Sequence, residues 1–314
     1  VMTCVLGMVV RREREIRNFV KTPFYRVLGS FQATAKDGTP VLLDAEWKAV
    51  EGSKYFGTPY LYKENGFKER EKAEELIAYL KEEPPLEAKV LSKEKKKETK
   101  NPPLLYNLAE LQNDCSKMFK ISPDETLKVV QELYEKKLVT YPRTDARVLS
   151  TAVAKEIYKN INGLMRYEPM AGFAKEAMDL GSFKGIAKTR YVNDKQITDH
   201  YAIIPTGQGM GNLRGLSPLS EKVYQVVCRR FLSIFYPAAI YQKYSLVLER
   251  KKEQFFASFK VLSEPGYLKV ADVNLAKKSS IQETFSDEKE GNSAQTDEKN
   301  AEIPKVDRTL LLQV

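Results

Sequence analysis

The order of strand-like and helix-like segments along the chain constrains its fold most. Aromatic and aliphatic residues typical of strands occur in residues 24–50 and return in residues 244–270. Between them, from residue 101 to about residue 215, apolar residues recur three and four apart, as they do in helices. This order predicts a single β-rich domain interrupted by a helical insertion. The chain has 314 residues, which is enough for two or three domains.

Apolar spacing also sets the positions of the expected helices. They are predicted at residues 8–19, 67–83, 104–119, 151–160 and 220–235, with one more beginning at residue 122. Ser122, Pro123 and Glu125 have the spacing of a capping box with proline at the first helical position. Short strands are predicted at residues 138–141, 244–248, 255–261 and 267–270.

Two segments of unusual composition stand out. Residues 93–100 are rich in lysine and precede Pro102 and Pro103, which indicates a boundary between domains. Residues 286–302 are polar and charged, and we expect them to form a mobile loop. The order of helix, turn, helix and strand over residues 104–141 is typical of a winged-helix DNA-binding module, although the pattern is common.

The charge balance favours a polyanionic partner. Lys and Arg total 51 against 42 Asp and Glu, which gives a net charge of +9. Nucleic acid is the first candidate and an anionic membrane surface the second. No run of 18 apolar residues and no signal-peptide pattern is present, so we expect a cytoplasmic protein with no membrane partner. Three widely spaced cysteines and a single histidine argue against a zinc finger, a disulfide framework and a His-rich metal site.

The densest cluster of chemically capable residues is VTYPRTD at residues 139–145. Tyr141 follows an apolar stretch, and Pro142 removes a backbone donor, so the phenol is expected at an exposed bend. A tyrosine can attack a phosphodiester, and the nearby Arg143 can stabilise a phenolate and the charge on phosphoryl oxygens. The alternative is that Tyr141 only packs, as most tyrosines do, because the chain contains 17 of them.

A second cluster surrounds the only histidine, in TDHYAIIPT at residues 198–206. His200 lies between Asp199 and Tyr201, and it can serve as a phosphate donor or a proton shuttle oriented by a carboxylate. The alternative is a half-buried histidine whose ring nitrogens are satisfied by structural hydrogen bonds.

A third cluster is the run of arginines in the first predicted helix. Arg11, Arg12 and Arg14 can line a track of phosphates. The alternative is a solvated helix face with intrahelical Glu–Arg pairs, which we prefer for Glu13 and Glu15.

Four motifs in the same order resemble those of the type IA DNA topoisomerases in their topoisomerase III-like form. The motifs are VTYPRTD at residues 139–145, PPLLYNL at residues 102–108 followed by Leu111 and Gln112, TDHYAIIPT at residues 198–206, and REREI at residues 12–16 followed by Phe19. They are similar, in that order, to the family's nucleophile motif, the entry into its tyrosine domain, its histidine motif and the helix before its β domain. The resemblance extends to about residue 270.

The resemblance implies roles for individual residues. Tyr141 matches the nucleophile, Arg143 the arginine that positions the scissile phosphate, and His200 the histidine associated with phosphate contact and cleavage. The remaining candidates for DNA contact are Gln112, Thr144, Asp145, Arg147, Asp199, Thr206, Arg11 and Arg12.

The family's Toprim domain, which carries its acidic metal-binding cluster, is expected before Val1. No Asp-x-Asp pattern occurs anywhere in the chain. The resemblance therefore implies a fragment that lacks the N-terminal Toprim domain. Mg²⁺ is expected for the intact enzyme and bound by that domain, with no metal ligands and no cofactor in this chain.

The fold that the resemblance implies is mixed α/β and multi-domain. A discontinuous β-rich arch domain is expected at residues 21–100 and 241–314. A helical winged-helix-like (CAP-like) domain carrying the catalytic tyrosine is inserted at residues 101–214. Residues 1–20 are expected to be a remnant of the helical gate domain, and residues 215–240 a helix that packs back toward it.

The activity that the resemblance implies is ATP-independent DNA isomerisation. Single-stranded DNA is cut through a 5′-phosphotyrosine link, another strand passes, and the break is religated, which relaxes negative supercoils or decatenates DNA. We expect this chain alone to be a monomer that binds single-stranded DNA without cleaving it well, with the Toprim domain as a partner in trans. Two alternatives remain: a non-catalytic winged-helix DNA-binding module, and an adaptor that binds proteins through residues 286–302.

Overall fold

The structure is a computed structural model that describes residues 2–34, 40–271 and 311–313. It divides into two compact units, each with its own hydrophobic core. Unit 1 comprises the described residues of Val1–Lys95, Tyr244–Phe259 and Thr284–Val314, and unit 2 those of Lys96–Lys243 and Lys260–Glu283.

Unit 1 begins with a helix and continues as strands. Its elements are α1 (Met2–Arg17), β1 (Leu28–Thr34), β2 (Pro40–Lys48), β3 (Leu61–Lys63), β4 (Gly66–Phe67), α2 (Arg70–Lys81) and the first half of β5 (Lys89–Lys100). No residue of α1 is buried. The predicted helices at residues 8–19 and 67–83 are confirmed, with α1 beginning earlier and α2 beginning later than expected.

Unit 2 is mostly helical. Its helices are α3 (Leu108–Phe119), α4 (Pro123–Glu135), α5 (Thr151–Leu164), α6 (Glu168–Leu180) and α7 (Pro218–Ser233), followed after the long strands β6 (Ala239–Arg250) and β7 (Glu253–Glu264) by α8 (Leu268–Ala271). Short 3-10 turns lie at Ser182–Lys188, Asp194–Gln196 and Met210–Gly215. The predicted capping box is confirmed, since Ser122 and Glu125 bond reciprocally at the start of α4 and Pro123 occupies the first turn.

Strands from both ends of the chain form one sheet. The strand order is β5-β6-β7-β2-β1-β8, where β8 is Leu311–Gln313. β1 and β2 are antiparallel, and β2 is antiparallel to β7, with Trp47 opposite Phe255. The expectation of a mixed α/β fold, in which strand-rich sequence before residue 100 pairs with strand-rich sequence after residue 241, is confirmed. The arch and the other domain assignments stay predictions.

The boundary expected at residues 93–100 is confirmed, since the two units divide between Lys95 and Lys96. These residues belong to β5, an edge strand that tolerates its many lysines because both of its faces are open. Two local expectations need correction. The strand predicted at residues 267–270 is wrong, because Leu268–Ala271 form helix α8 after Gly266, in the left-handed region at φ 49°, turns the chain. Residues 138–141 form a single bridge, Val139 to Pro205, because proline has no amide hydrogen to extend the ladder.

Two further expectations concern other parts of the chain. The predicted loop at residues 286–302 lies outside the described residues. Helix α7, expected to pack toward a further helical domain, buries Val223, Tyr224, Val227 and Phe231 in the core of unit 2. In the part of the chain that the structure describes, no helix has both the length and the apolar character needed to cross a membrane.

The core of unit 1 is built around Trp47. The indole stacks on Phe67 at 5.0 Å between ring centroids, and its Nε1 donates to Glu253 at 2.7 Å. The Glu253 carboxylate is 1% exposed and also accepts from the backbone amide of Lys54 at 2.7 Å. A buried carboxylate is tolerated here because both of its oxygens have donors.

A buried arginine at the other end of the β6–β7 turn holds the chain after α2. The guanidinium of Arg250, 8% exposed, donates to five backbone carbonyls. The acceptors are the oxygens of Leu80, Glu82, Glu83, Pro85 and Glu87, at 2.7 to 3.2 Å.

The turn between Arg250 and Glu253 consists of Lys251 and Lys252, both in the left-handed region, at φ 52° and 65°. Two-residue hairpins need this conformation, which costs lysine about 1–2 kcal/mol per residue. The two buried charged residues therefore fix an otherwise unfavourable turn.

Arg250→Gln is predicted to destabilise unit 1 by about 3 kcal/mol, because several buried carbonyls lose their donor. Trp47 is the only tryptophan of the chain and lies in this unit, so urea unfolding followed by its fluorescence reports the change. Lys252→Gln is the control, since Lys252 is exposed in the same turn. An unchanged unfolding midpoint for Arg250→Gln would contradict this account of the turn.

Candidate functional site

Helix α4 delivers the chain to Tyr141. The helix ends at Glu135, and Lys137 then takes the left-handed conformation, at φ 61°, which turns the chain sharply. Leu138 and Val139 follow as fully buried anchors, 0% and 1% exposed. The α4 end is itself fixed, because Glu132 accepts from the Ser220 hydroxyl of α7 at 2.8 Å, which lowers the pKa of Glu132. Tyr141 thus emerges from a rigid support.

The two sequence motifs that were expected to carry chemistry are hydrogen-bonded to each other. The Thr140 amide donates to the Ile204 carbonyl at 3.0 Å, and the Thr206 amide donates to the Leu138 carbonyl at 2.9 Å. The Thr140 hydroxyl donates to the Ala202 carbonyl at 3.0 Å and accepts from the Ile204 amide. These bonds join the segment 138–144 to the segment 200–206.

Thr144 makes a second connection between the motifs. Its hydroxyl donates to the carbonyl of His200 at 2.7 Å and accepts from the Ala146 amide at 3.1 Å. The residue is 7% exposed. Thr144 therefore holds the backbone of His200 in position. Direct contact of Thr144 with DNA stays a prediction.

The side chains of Tyr141 and His200 are in contact. Their ring centroids lie 4.5 Å apart at a tilt of 45°, and Tyr134 packs on the other side of Tyr141 at 5.4 Å, edge to face. His200 is exposed and Tyr141 half-buried. Among the described residues, neither the Tyr141 hydroxyl nor the His200 ring nitrogens have a hydrogen-bond partner. A half-buried histidine with a satisfied ring was the alternative, and the structure disagrees with it.

The paired rings face an open cleft of about 540 Å³. It is lined by Tyr134, Glu135, Lys137, Val139, Thr140, Tyr141, His200, Tyr201, Thr206 and Gln208. Burial raises the pKa of the Tyr201 phenol, so this tyrosine, one of three that line the cleft, stays neutral at physiological pH. The cleft offers a cation at Lys137 and a carboxylate at Glu135 on the same wall.

The sequence analysis did not single out four of these wall residues: Tyr134, Glu135, Lys137 and Gln208. Glu135 accepts from the Gln131 side chain at 3.3 Å, which holds its carboxylate at the cleft. The first three stand at or just after the end of α4, within seven residues of Tyr141. Their position at the end of a helix that leads straight into the tyrosine motif was the available signal.

Arg143 and Asp145 are exposed. In the described part of the chain, the Arg143 guanidinium has no ion-pair or hydrogen-bond partner, so it is available to an anion. Asp199 is likewise exposed beside His200. No hydrogen bond joins Asp199 to the His200 ring in the described structure, and the expected orientation by this carboxylate stays a prediction.

Three other predicted DNA contacts are engaged within unit 2. The Thr206 hydroxyl lines the cleft while donating to the Lys137 carbonyl at 2.6 Å. The Gln112 side chain donates to the Pro123 carbonyl at 3.0 Å. Arg147 pairs with Glu110 at 3.3 Å and donates to the Leu105 carbonyl. The Gln112 contact stabilises the start of α4, and the Arg147 contact stabilises the segment before α3. Direct contact of these two residues with DNA stays a prediction.

The arginines of α1 belong to unit 1. Arg12 pairs with Glu15 at 3.1 Å, and Glu13 pairs with Arg17 at 3.0 Å, so the intrahelical pairs preferred for Glu13 and Glu15 are present. Arg11 is exposed on the same helix. A phosphate track along Arg11 and Arg12 stays a prediction.

The described residues do not meet the requirements of a metal site. Within residues 2–34, 40–271 and 311–313, no group of three or more His, Cys, Asp or Glu side chains is placed to hold an ion. The residues present therefore do not fit a magnesium site, and no chemical step of this chain is derived through one.

A close backbone contact fixes the wall that carries Thr206 and Gln208. Gly163 of α5 lies so near this wall that a Cβ there would be 2.0 Å from the Gly207 carbonyl oxygen. Gly207 has φ 72°, and the Asn160 side chain donates to the Pro205 carbonyl at 2.9 Å. Glycine at position 163 is therefore a requirement of the site.

The site combines a tyrosine hydroxyl, a histidine whose ring contacts that tyrosine, and Arg143, two residues along the chain from Tyr141. Within the described residues, neither the hydroxyl nor the guanidinium has a protein partner. Groups of this kind are suited to tyrosine attack on a phosphodiester, since the arginine cation and a histidine N–H can stabilise the phosphoryl oxygens. The structure thus defines a candidate phosphoryl-transfer site on a mixed α/β framework.

Comparison with known proteins agrees with this class. A family model described as DNA topoisomerase matches residues 1–307. DNA topoisomerase 3 of Bacillus subtilis (strain 168) is 34% identical over 277 residues, 87% of this chain and 34% of that protein. DNA topoisomerase 3 of Bacillus licheniformis is 32% identical over 273 residues, again 87% and 34%. The chain belongs to the type IA DNA topoisomerase family and is topoisomerase III-like, and it spans about a third of the length of these relatives.

A solved structure shows the same fold. Full-length topoisomerase I from Thermotoga maritima aligns with a TM-score of 0.53 at 22% identity, over 92% of this chain and 41% of that one. The family membership expected from the four motifs is confirmed.

Gly163→Ala is predicted to destabilise unit 2 by about 3 kcal/mol, because the added methyl meets a backbone carbonyl that cannot move aside. Gly172→Ala in α6 is the matched control, since nothing lies within 4 Å of its Cβ and alanine favours the helix by up to about 1 kcal/mol. Thermal unfolding by circular dichroism measures both. Equal unfolding temperatures for the two variants would show that the close contact is absent.

Proposed function

We propose that this chain carries the nucleophile half of a type IA DNA topoisomerase and cuts single-stranded DNA through Tyr141. The observation that carries the proposal is the contact between the Tyr141 and His200 rings at the wall of an open cleft. Two motifs far apart in sequence are held together there. Within the described residues, the Tyr141 hydroxyl, the His200 ring nitrogens and the Arg143 guanidinium have no protein partner, and these are the groups that the chemistry requires.

In the proposed reaction, the Tyr141 hydroxyl oxygen attacks a phosphodiester phosphorus. The new oxygen–phosphorus bond links the tyrosine to the 5′ phosphate, and the bond to the 3′ oxygen breaks. The phenol proton leaves to a base, and the departing 3′ oxygen receives a proton to become a hydroxyl. Religation is the reverse, and storing the bond in the phosphotyrosine makes the cycle independent of ATP.

Arg143 and His200 are proposed to act on the phosphate. Arg143 is exposed and without a partner in the described part of the chain, so its planar guanidinium can bind two phosphoryl oxygens. His200 contacts the Tyr141 ring and is positioned through its backbone by Thr144, so it can donate to the same group. Both would stabilise charge that grows in the transition state.

Single-stranded DNA is proposed as the substrate because the site lies in an open cleft next to aromatic rings. Tyr134 is 39% exposed and can stack on a base, a contact worth about 1–3 kcal/mol. Lys137 supplies a cation on the same wall. Gln112, Asp145, Arg147, Asp199 and Thr206, together with Arg11 and Arg12 in unit 1, remain the further proposed DNA contacts.

The proton-transfer partners and Mg²⁺ are proposed to come from a Toprim domain outside this sequence. Support comes from the length of the relatives, of which this chain spans 34%, and from the lack of a fitting metal site among the described residues. The complete protein would pass one strand through the break and so relax or decatenate DNA. We propose that it works as a monomer in the cytoplasm, where its DNA substrate lies.

The second candidate is a winged-helix module that binds DNA without cutting it. The helix pair α3 and α4 and the charge of +9 favour DNA binding of this kind. The unpartnered hydroxyl of Tyr141 favours the enzyme, because a tyrosine that only packs has no need to face a cleft. The two proposals differ in whether Tyr141 becomes covalently attached to DNA.

The test is covalent trapping with two single-stranded oligonucleotides, one ordinary and one with sulfur in place of the bridging 3′ oxygen. A thiol has a far lower pKa than a sugar hydroxyl, so the sulfur departs as a thiolate and needs no proton donor. The chain alone is expected to form an adduct with the sulfur-containing oligonucleotide and little or none with ordinary DNA. Denaturing gels of end-labelled DNA measure the adduct.

Tyr141→Phe is expected to abolish the adduct, and Arg143→Ala to reduce it by about 100-fold or more. Tyr158→Phe, which changes an exposed tyrosine of α5, is the matched control and should leave it intact. An adduct that survives Tyr141→Phe would refute Tyr141 as the nucleophile. Binding without any adduct on either oligonucleotide would favour the non-catalytic module.

A further inference from the structure

The two faces of β5 differ in charge. Side chains alternate between the faces of a strand, so Lys89, Lys93 and Lys95 share one face and Ser92 and Glu94 the other. All five belong to unit 1 and are exposed. The lysine face therefore carries only positive charge along this stretch, while the other face carries mixed side chains.

Two aromatic rings extend the lysine face across the neighbouring strands. Tyr244 of β6 stacks on Phe259 of β7, with centroids 5.2 Å apart and planes within 17°. Lys95 Nζ lies 5.6 Å from the centroid of the Tyr244 ring, which places the lysine and the aromatic pair on one face. Both rings are half-buried, so each retains surface that solvent can reach.

This face continues the one that buries the core of unit 1. Leu246 and Leu248 follow Tyr244 at alternate positions of β6, and Phe255 and Ala257 precede Phe259 at alternate positions of β7. All four pack in the unit 1 core. Tyr244 and Phe259 therefore stand where the core ends and the face opens, next to the lysines.

The part of this face around Lys93, Lys95 and Tyr244 differs in charge from its end at Lys89, which lines a cavity with Glu83, Glu87 and Glu249. Among the described residues of β5, β6 and β7 in unit 1, the only carboxylate of the same alternation is Glu253, which is buried and bonded to Trp47 and Lys54. Glu94 and Glu249 have the opposite alternation. A surface with lysines, a stacked aromatic pair and no exposed carboxylate is complementary to a polyanion that has aromatic bases.

We propose that the part of this face formed by Lys93, Lys95, Tyr244 and Phe259 is a second binding surface for single-stranded nucleic acid, separate from the Tyr141 cleft. The lysines would neutralise successive phosphates and a base would stack on the tyrosine–phenylalanine pair. A single strand is the occupant because a duplex keeps its bases stacked on one another and offers no free base to the rings. The surface belongs to unit 1 and does not depend on cleavage.

The variants that test it are measured in the full chain with Tyr141→Phe, so that no cleavage interferes. Lys93→Gln/Lys95→Gln removes two positive charges from the face. Ser92→Glu/Ser245→Glu is the control, since it lowers the net charge by the same two units on the other face of the sheet, at β5 and β6. Tyr244→Leu removes the stacking ring and keeps an apolar side chain. The fluorescence of Trp47, in the same unit, verifies that each variant is folded.

The expected result is a loss of oligo(dT) affinity of about tenfold at 0.1 M salt for the lysine pair, with a salt dependence shallower by about 1.4. Tyr244→Leu is expected to lose about tenfold. The control pair should retain affinity within about twofold. Equal losses for the lysine pair and the control would reduce the effect to net charge and overturn the proposal.

Lysine acetylation with mass spectrometry locates the bound strand directly. Protection of Lys93 and Lys95 by oligo(dT), stronger than by a duplex of equal length, supports the surface. Protection of Lys137 in the Tyr141 cleft alone would overturn this proposal and leave the proposed function standing. Protection of Lys93 and Lys95 without Lys137 would support the surface and count against the cleft. Protection of none of the three, or equal protection by duplex, would overturn the single-strand surface.

Discussion

The hydrogen bonds between segments 138–144 and 200–206 are the constraint on which the site depends. The Thr144 and Thr140 hydroxyls reach carbonyls 56 and 62 residues away in sequence, at His200 and Ala202. These contacts bring the only histidine of the chain against Tyr141. Because the bonds involve backbone and small side chains, the tyrosine hydroxyl, the histidine nitrogens and the Arg143 guanidinium remain available to a ligand.

In unit 1 the main constraint is different, because its sheet combines strands from both ends of the chain. Two buried charged residues, Arg250 and Glu253, stand on either side of a two-lysine turn and are satisfied by backbone carbonyls, an indole and an amide. Each would be costly to bury alone, and each is fully bonded. Their placement fixes β6 and β7 and so determines which side chains face the open part of the sheet.

The sequence predicted the elements whose signals are local. The α4 capping box at Ser122 and Glu125, the amphipathic helices other than α6, and the return of strands after residue 241 follow from spacing alone. The motifs around Tyr141 and His200 identified the family, but not that Thr144 would be buried as their link. That contact depends on tertiary pairing, as do the five carbonyls around Arg250 and the close approach of Gly163 to Gly207. The lysines at residues 93–100 predicted the boundary between the two units, but not the strand that they form there, because charge indicates exposure and does not distinguish a linker from an edge strand.

The central claim is that Tyr141, His200 and Arg143 converge on one phosphate. A crystal structure of the Tyr141→Phe chain with a single-stranded oligonucleotide tests it most directly. The account predicts a backbone phosphate within hydrogen-bond distance of His200 and Arg143, with its phosphorus about 3–3.5 Å from the position of the missing hydroxyl oxygen. A strand bound in the cleft with its phosphates turned away from these residues, or no nucleotide in the cleft at all, would contradict it.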